Sequence, residues 1–481
     1  MNPLWLIPIL LVGLLLLALL AAVLHTLFTP ARKSEYTASE EEAEALRLAR
    51  KLAAMIQYDT TSHAGQDEAE KFRGFHAVLA ELFPLVHREL ERTEIDGNLL
   101  YYWKGVRSEK PILLMSHQDV VPAEGTWTHA PFSGDIADGK VYGRGASDTK
   151  CSVMAFFEAV EQLLAEGYTP PVDVYLASSC TEEWGGDGAP KLVEELKRRG
   201  VELFLLCDEG GGIIREPIAG IPGNFAMIGV FEKGKGDVKF TARSNGGHAS
   251  APAKNTPIPR LAAFITEVER HSPFRRKMMP EVAAMFQALA PYASFGLRLV
   301  FGNLWLFRPL LTVLMPKLSA QAGAMLQTTI AFTVQSGSDA YNVLPQEASV
   351  GANMRFIPHQ GMKESLAIIE AKAARYGLET EVLHANDYTE PVDIHDEAFE
   401  LFRRVVEETF PGLPSSPYVM TGATDAQFYQ PICRNCLRFA PVIYGPEQMK
   451  GMHGLNENIE YNCLPGAVRF YKNLIRAQAR Q

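Results

Sequence analysis

The chain has 481 residues, 47% hydrophobic and 21% charged, with a formal charge of −10. That balance is an ordinary globular one, with room for two or three domains, and it excludes disorder as the general state. The charge is spread without a Lys/Arg tract or basic stripe to neutralise phosphates, which argues against nucleic acid as a partner.

The first element is the run LWLIPILLVGLLLLALLAAVLHTLF, 25 positions without a formal charge. It exceeds the roughly 20 residues that span a bilayer and the roughly 7 to 15 of a signal-peptide core, so residues 1–34 are expected to be a single-pass membrane anchor with its linker. Arg32 and Lys33 follow it and no cation precedes it. The positive-inside rule would then leave the bulk of the chain in the cytoplasm, whereas a signal anchor leading an extracytoplasmic hydrolase is the other arrangement; the side stays open. The six cysteines offer no disulfide framework or second CxxC beside Cys433 and Cys436, and Asn-x-Ser/Thr sequons are lacking.

After a polar linker (SEYTASEEE), Ser39 and Glu42 have capping-box spacing for a helix whose apolar face runs through Leu46, Ala49, Leu52 and Ile56. PILLM (111–115), VDVYLAS (172–178) and VELFLLC (201–207) are continuous apolar runs rich in β-formers. CSVMAFFEAVEQLLAEG (151–167) and APKLVEELKRRG (189–200) have helical spacing. Strands buried on both faces and separated by helices predict an α/β domain, a parallel-rich mixed sheet flanked by helices, over 35–229. The texture then changes to a βαββαβ order: GDVKFTARS (236–244), a helix (258–271), TTIAFTVQSG (328–337), ASVGANMRFI (348–357), a helix (364–376) and ETEVLHA (379–385). Residues 230–391 therefore read as a smaller inserted α+β domain, and 392–481 as the return to the first. Within the insertion, 284–326 is an apolar excursion. Arg298 and Arg308 interrupt it, which disfavours a second membrane span and favours a helical flap, a dimer contact or a hydrophobic ligand wall.

In open α/β sheets ligands bind outside the carboxyl ends of the strands. Three apolar runs here lead into candidate metal ligands: His117 and Asp119 in MSHQD, Glu182 and Glu183 in TEEWGG, Asp208 and Glu209 in LLCDEGG. Asp148 lies in the Gly-rich stretch GRGASDTK just ahead of a helix. A lone histidine at a strand end is commonly structural, and Asp148 could simply cap its helix. Repetition of the pattern favours chemistry. Carboxylates and imidazoles without thiolates suit Zn, Mn or Co with open positions for water. Two neighbouring ions need a bridging carboxylate, a role open to Asp148. His117 would ligate while Asp119 orients it, and of two adjacent glutamates one could bind metal while the other serves as general base.

SHQDVVP, GRGASDTK, TEEWGG, LLCDEGG, NGGHASAP, YNVLP and GMHGLNE occur in the order and rough spacing of the M20 metallopeptidases, and residues 40 to 480 resemble that family, nearest its carboxypeptidase S and N-fatty-acyl amino acid hydrolase branch. The resemblance implies a zinc-peptidase-like catalytic domain carrying an inserted lid, with two divalent ions, zinc first and cobalt or manganese as alternatives. It implies that His117, Asp148 and Asp208 hold one ion and Asp148, Glu183 and His453 the other. Asp119 matches the orienting aspartate and Glu182 the general base. His248 matches an oxyanion-stabilising histidine that often serves a partner subunit, so a homodimer through the lid is expected as one arrangement. Asn342, Arg355 and Gly422 match substrate-binding positions, with Arg355 suited to bidentate capture of a carboxylate. The implied reaction is hydrolysis of an amide next to a free carboxylate, in a small peptide or an N-acyl amino acid.

A serine hydrolase would need G-x-S-x-G and a zincin H-E-x-x-H; neither occurs, nor does a P-loop. The competing class is an inactive membrane-anchored receptor or scaffold of the same fold, which would show eroded ligands. His63, His76, His87, His129, His271, His359, His384 and His395 match no motif and are expected at the surface or flanking helices.

Overall fold

The apolar runs fold as strands, and the order in which they pair decides where a site can form. The computed structural model describes residues 6–38 and 41–480. Its main sheet has eight strands, in spatial order Glu91–Ile95, Asn98–Trp103, Val172–Ser178, Arg107–Met115, Leu205–Arg215, Cys436–Tyr444, Asn224–Glu232 and Ser415–Met420. Arg107–Met115 runs parallel to both its neighbours, Leu205–Arg215 is also parallel to Cys436–Tyr444, and the Glu91–Ile95 edge is antiparallel, so the sheet is mixed with a parallel centre. Helices Glu42–Ile56, Lys150–Ala165, Glu397–Thr409 and Leu464–Ala477 cover one face with the larger core. Gly188–Arg198 and the turn at Asp425–Tyr429 cover the other.

Two expected boundaries shift. VELFLLC is not one strand: the strand begins at Leu205, after a bridge from Leu203 to Cys433, and continues past Cys207 through three glycines to Arg215. Glycine is required there, because a Cβ on Gly211 would lie 2.3 Å from both the Arg438 and Met227 carbonyl oxygens. The helix expected after the polar linker begins at Glu42. Ser39 of the expected capping pair lies outside the described residues, and the buried face centres on Ala45, Leu48, Leu52 and Met55, with Leu46 only half-buried.

Thr329–Ser336, Glu347–Phe356, Gly234–Arg243 and Leu378–Asn386 form a separate antiparallel sheet in that order, covered by helices Pro257–Arg270 and Met362–Ala374 around a core of its own that includes Phe240, Phe264 and Met354. The excursion does not belong to that core. Its helices Pro280–Leu289, Phe295–Phe301 and Leu304–Leu318 bury Val282, Met285, Phe286, Phe301, Leu311 and Met315 with the larger core of the main sheet, the first helix lying on the edge strand Ser415–Met420. Phe295–Phe301 and Leu304–Leu318 meet at 102°.

The N-terminal run is a helix, Leu6–Phe28, long and apolar enough to cross a membrane, and its most apolar stretch is only 6% buried. Its last turns dock on the excursion: the buried Asn303 Nδ2 donates to the Thr26 hydroxyl (3.0 Å) and the Ala22 carbonyl (3.3 Å), while its Oδ1 lies 3.0 Å from His25 Nδ1. All six cysteines are free and buried.

Candidate metal centre

The strand order reverses at Arg107–Met115: the chain passes from it to Val172–Ser178 on one side, then to Leu205–Arg215 on the other. The diverging connections leave a crevice at its carboxyl end, and the next residues are Ser116, His117, Gln118 and Asp119, all buried. Gln118 is locked away from the crevice, its amide donating to the Gly97 and Ser178 carbonyls and its oxygen lying 3.1 Å from His76 Nε2. His76, expected at the surface or flanking a helix, is thus a buried residue within helix Ala69–Leu82, and burial lowers its pKa to about 4.

Asp119 works in two directions. Its backbone carbonyl lies 2.9 Å and its Oδ1 3.4 Å from His117 Nδ1, leaving Nε2 to face the crevice. Its carboxylate also accepts the backbone N–H groups of Glu182 and Glu183, both at 3.2 Å, and the Ser62 hydroxyl at 2.7 Å. One buried aspartate therefore fixes the histidine of one strand end and the glutamate pair of the next.

Asp148 closes the loop before helix Lys150–Ala165. That loop is held by Glu457, a fully buried carboxylate that accepts from the backbone N–H groups of Gly145, Ser147 and Asp148 at 3.1, 2.9 and 3.0 Å and from Arg144 at 2.8 Å. Sequence reading passed over Glu457, although it stands in the same GMHGLNE motif as His453. Nothing in the pattern distinguishes a buried acid there from a solvated one.

The ligand atoms gather into two groups that share Asp148: His117, Asp148 and Glu209, and Asp148, Glu183 and His453. Asp148 Oδ1 is 3.2 Å from His117 Nε2 and Oδ2 is 2.8 Å from His453 Nε2. Glu183 Oε2 lies 3.1 Å from His453 Nε2, Glu209 Oε1 3.6 Å and Glu182 Oε2 4.0 Å from His117 Nε2. The expected member Asp208 is not there. It shares the facing of Leu206 on its strand, and its oxygens accept the backbone N–H of Ala426 (2.9 Å) and of Glu209 (2.8 Å). The register with Cys436–Tyr444 slips after Asp208, at the glycine-rich bulge, and Glu209 is the residue whose carboxylate reaches His117.

Four carboxylates thus crowd a buried space beside two imidazoles. Burial raises the carboxyl pKa of Glu182 and Glu209 well above the ordinary range, with their acidic neighbours adding and His117 opposing. Glu183 is raised for the same first reason. Burial pushes Asp148 the same way, but hydrogen bonds from His117 and His453 outweigh it and hold it low. Hydrogen bonds to Asp148 and Glu183 raise His453 to about 10. An all-N/O donor set with this concentration of negative charge and one carboxylate offering an oxygen to each side fits two divalent cations.

The remaining expected residues are not brought to this cluster. His248 and Val343, next to Asn342, pair across a short exposed lid ribbon, and the His248 ring lies against Ser250 Oγ at 2.7 Å. Arg355 sits half-buried on Glu347–Phe356, donating to Asn353 Oδ1 at 3.1 Å. Gly422 lies in the loop after Ser415–Met420, with open space where a Cβ would be. Beneath that loop is a buried ion pair, Arg438 Nε to Glu232 Oε1 at 2.6 Å, with Thr424 donating to the same carboxylate. Lys233, next in the chain, is buried; its ammonium donates to the Ala324 and Gln327 carbonyls, both at 2.9 Å, and burial, reinforced by Arg355, lowers its pKa to about 7.

Among curated proteins, the N-fatty-acyl-amino acid synthase/hydrolase PM20D1 of Xenopus tropicalis is 32% identical, covering 97% of this chain and 93% of that protein. The probable carboxypeptidase S-like 2 of Dictyostelium discoideum is 31% identical over 97% and 92%. The M20 family metallo-carboxypeptidase Sso-CP2 from Sulfolobus solfataricus superposes with a TM-score of 0.67 at 18% identity, over 90% of this chain and 99% of that one. Human carnosine dipeptidase 1 gives 0.64 at 17%, over 92% and 97%. The family model for peptidase family M20/M25/M40 matches residues 113–477, a span holding every ligand group described above, and this chain belongs to that family.

Proposed function

We propose that the protein is a dinuclear metal-dependent hydrolase that cleaves an amide next to a free carboxylate, with Glu182 as general base. The observation that carries this reading is Asp148, whose two oxygens face one histidine each at the junction of two ligand groups. His117, Asp148 and Glu209 would hold one ion, and Asp148, Glu183 and His453 the other. Bound there, divalent ions supply Lewis acidity and favour ionisation of water.

The chain's own residues do the rest. Asp119 keeps His117 in the tautomer that presents Nε2 and sets the backbone of both glutamates. Glu182 takes a proton from the attacking water and returns it to the leaving amine. Arg355, with Asn342 and the Gly422 loop, receives the substrate carboxylate, and His248 donates to the developing oxyanion. His248 and Asn342 stand on the lid ribbon, so this requires the lid to close or a second copy to supply them.

The substrate assigned is an N-acyl amino acid with a lipophilic acyl group. The relatives named as N-fatty-acyl-amino acid hydrolases support this, as does the apolar excursion. The Leu6–Phe28 helix serves as a membrane anchor, a reading supported by the apolar side chains it exposes. The test is hydrolysis, by the zinc-loaded full chain, of N-palmitoyl-phenylalanine against a blocked dipeptide ending in phenylalanine, with free phenylalanine measured by mass spectrometry. Faster release from the palmitoyl compound is expected. Faster release from the dipeptide would make the protein a carboxypeptidase, and release from neither, with metal bound, would point to an inactive scaffold.

A further inference from the structure

Helix Leu304–Leu318 is apolar on two sides. One side, Leu304, Leu311 and Met315, is buried in the catalytic core. The other exposes Trp305, Leu310, Val313, Leu314 and Leu318, with Leu318 79% and Trp305 63% accessible. Leu310, Val313, Leu314 and Leu318 recur at helical spacing on one face, with Trp305 about 80° beyond its edge at the start of the helix, and a monomeric soluble surface rarely keeps such an apolar stripe.

Two independent features identify what covers it. The first is continuity. Asn303, at the start of this helix, is the residue to which the N-terminal helix is bonded, through Ala22, Thr26 and His25, and the Arg32 N–H donates to the Pro291 carbonyl at 2.8 Å just beyond. The exposed stripe therefore begins where the anchor helix leaves the folded domain. The second is charge. Residues 282–338 contain no Asp or Glu, and their only Lys or Arg residues are Arg298, Arg308 and Lys317, in a chain whose net charge is −10. Arg308 and Lys317 lie exposed on the same helix as the stripe, Arg308 donating one guanidinium N–H to the Met278 carbonyl and Lys317 having its place among the exposed leucines. Exposed Trp and Leu with Lys and Arg among them is the composition of a helix that lies in a membrane interface, where the apolar side chains enter the acyl boundary and the cations meet anionic headgroups.

We infer that Leu304–Leu318 is a second, non-spanning membrane contact that lies in the leaflet beside the anchor and holds the catalytic domain against the bilayer. The inference rests on the anchor reading of Leu6–Phe28. It has a consequence for lipophilic substrates: the chain leaving this helix runs to Ala324 and Gln327, whose carbonyls are bonded by Lys233, and Lys233 leads into strand Gly234–Arg243, which pairs with the strand carrying Arg355.

The test uses the full chain with single environment-sensitive labels on Leu314→Cys, on Leu16→Cys in the anchor, and on Val106→Cys, an exposed catalytic-domain site remote in sequence from both. The six native cysteines are buried and do not compete under native labelling. The protein is reconstituted into phosphatidylcholine vesicles, with and without phosphatidylglycerol, carrying spin-labelled lipid. Strong quenching at 16 and 314, with 106 quenched only by aqueous iodide, is expected, and phosphatidylglycerol should increase quenching at 314. Lipid quenching at 16 with iodide access at 314 would overturn the inference and leave the anchor standing. Loss of lipid quenching at both would overturn both. Protection of 314 from lipid and iodide alike, with 314-to-314 cross-linking between chains, would assign the stripe to a second copy and overturn the inference.

Discussion

The ligand cluster and the lid ribbon both present histidines and polar side chains, but one is finished and the other is not. At the cluster buried carboxylates set the ligands' positions: Asp119 holds His117 and the two glutamate amides, and Glu457 holds the loop of Asp148. On the ribbon His248 is exposed and its ring is bonded locally, to Ser250. Binding metal requires donors preorganised within one chain, whereas holding a substrate oxyanion requires a group that arrives after the substrate. The contrast predicts that substitutions of the grouped ligands His117, Asp148, Glu183, Glu209 and His453 change metal content, and substitutions on the ribbon change rate alone.

The largest effect is expected for Asp148→Ala, which removes the carboxylate shared by both groups; metal content should fall for both ions and turnover should vanish, read by elemental analysis beside the assay. Glu182→Gln should keep its metal and lose about 10²- to 10⁴-fold in kcat, the usual share of a general base. Retained turnover would take Glu182 out of that role. His248→Ala should cost about 10²- to 10³-fold in kcat with no change in metal content or melting temperature, because it touches nothing the fold depends on. A loss of bound metal in that variant would erase the distinction between the two regions. Glu457→Gln should act at a distance, weakening metal affinity by roughly 10- to 100-fold, as is typical when a group that orients a ligand is lost; titration with a chromophoric chelator measures it.

Much of the cluster was readable because its residues sit in short motifs at the ends of apolar runs, where a strand's direction places its next side chain. His117, Asp119, Glu182 and Glu183 needed no more than that, and Asp148 only its place in a Gly-rich loop ahead of a helix; His453, which follows the short helix Pro446–Gly451, came only from the family resemblance of GMHGLNE. Asp208 and Glu209 show the limit. Alternation along a strand tells two adjacent acids apart only if the strand stays regular, and here a bulge at Gly210 to Gly212, visible only once Cys436–Tyr444 is paired beside it, turns Glu209 toward His117. Glu457 was hidden for another reason: burial of an acid depends on which backbone N–H groups surround it, and those belong to residues more than three hundred positions away. The excursion had an apolar composition that fixed its helices but not their neighbours, since a helix apolar on two sides does not declare which side the core takes.

The most direct test of the two-group centre is the zinc content of the purified chain after chelation and reloading, compared among wild type, Glu209→Ala and Asp208→Ala. Two ions per chain in the wild type, one in Glu209→Ala and two in Asp208→Ala is the expected result. Full zinc in Glu209→Ala together with loss in Asp208→Ala would contradict it.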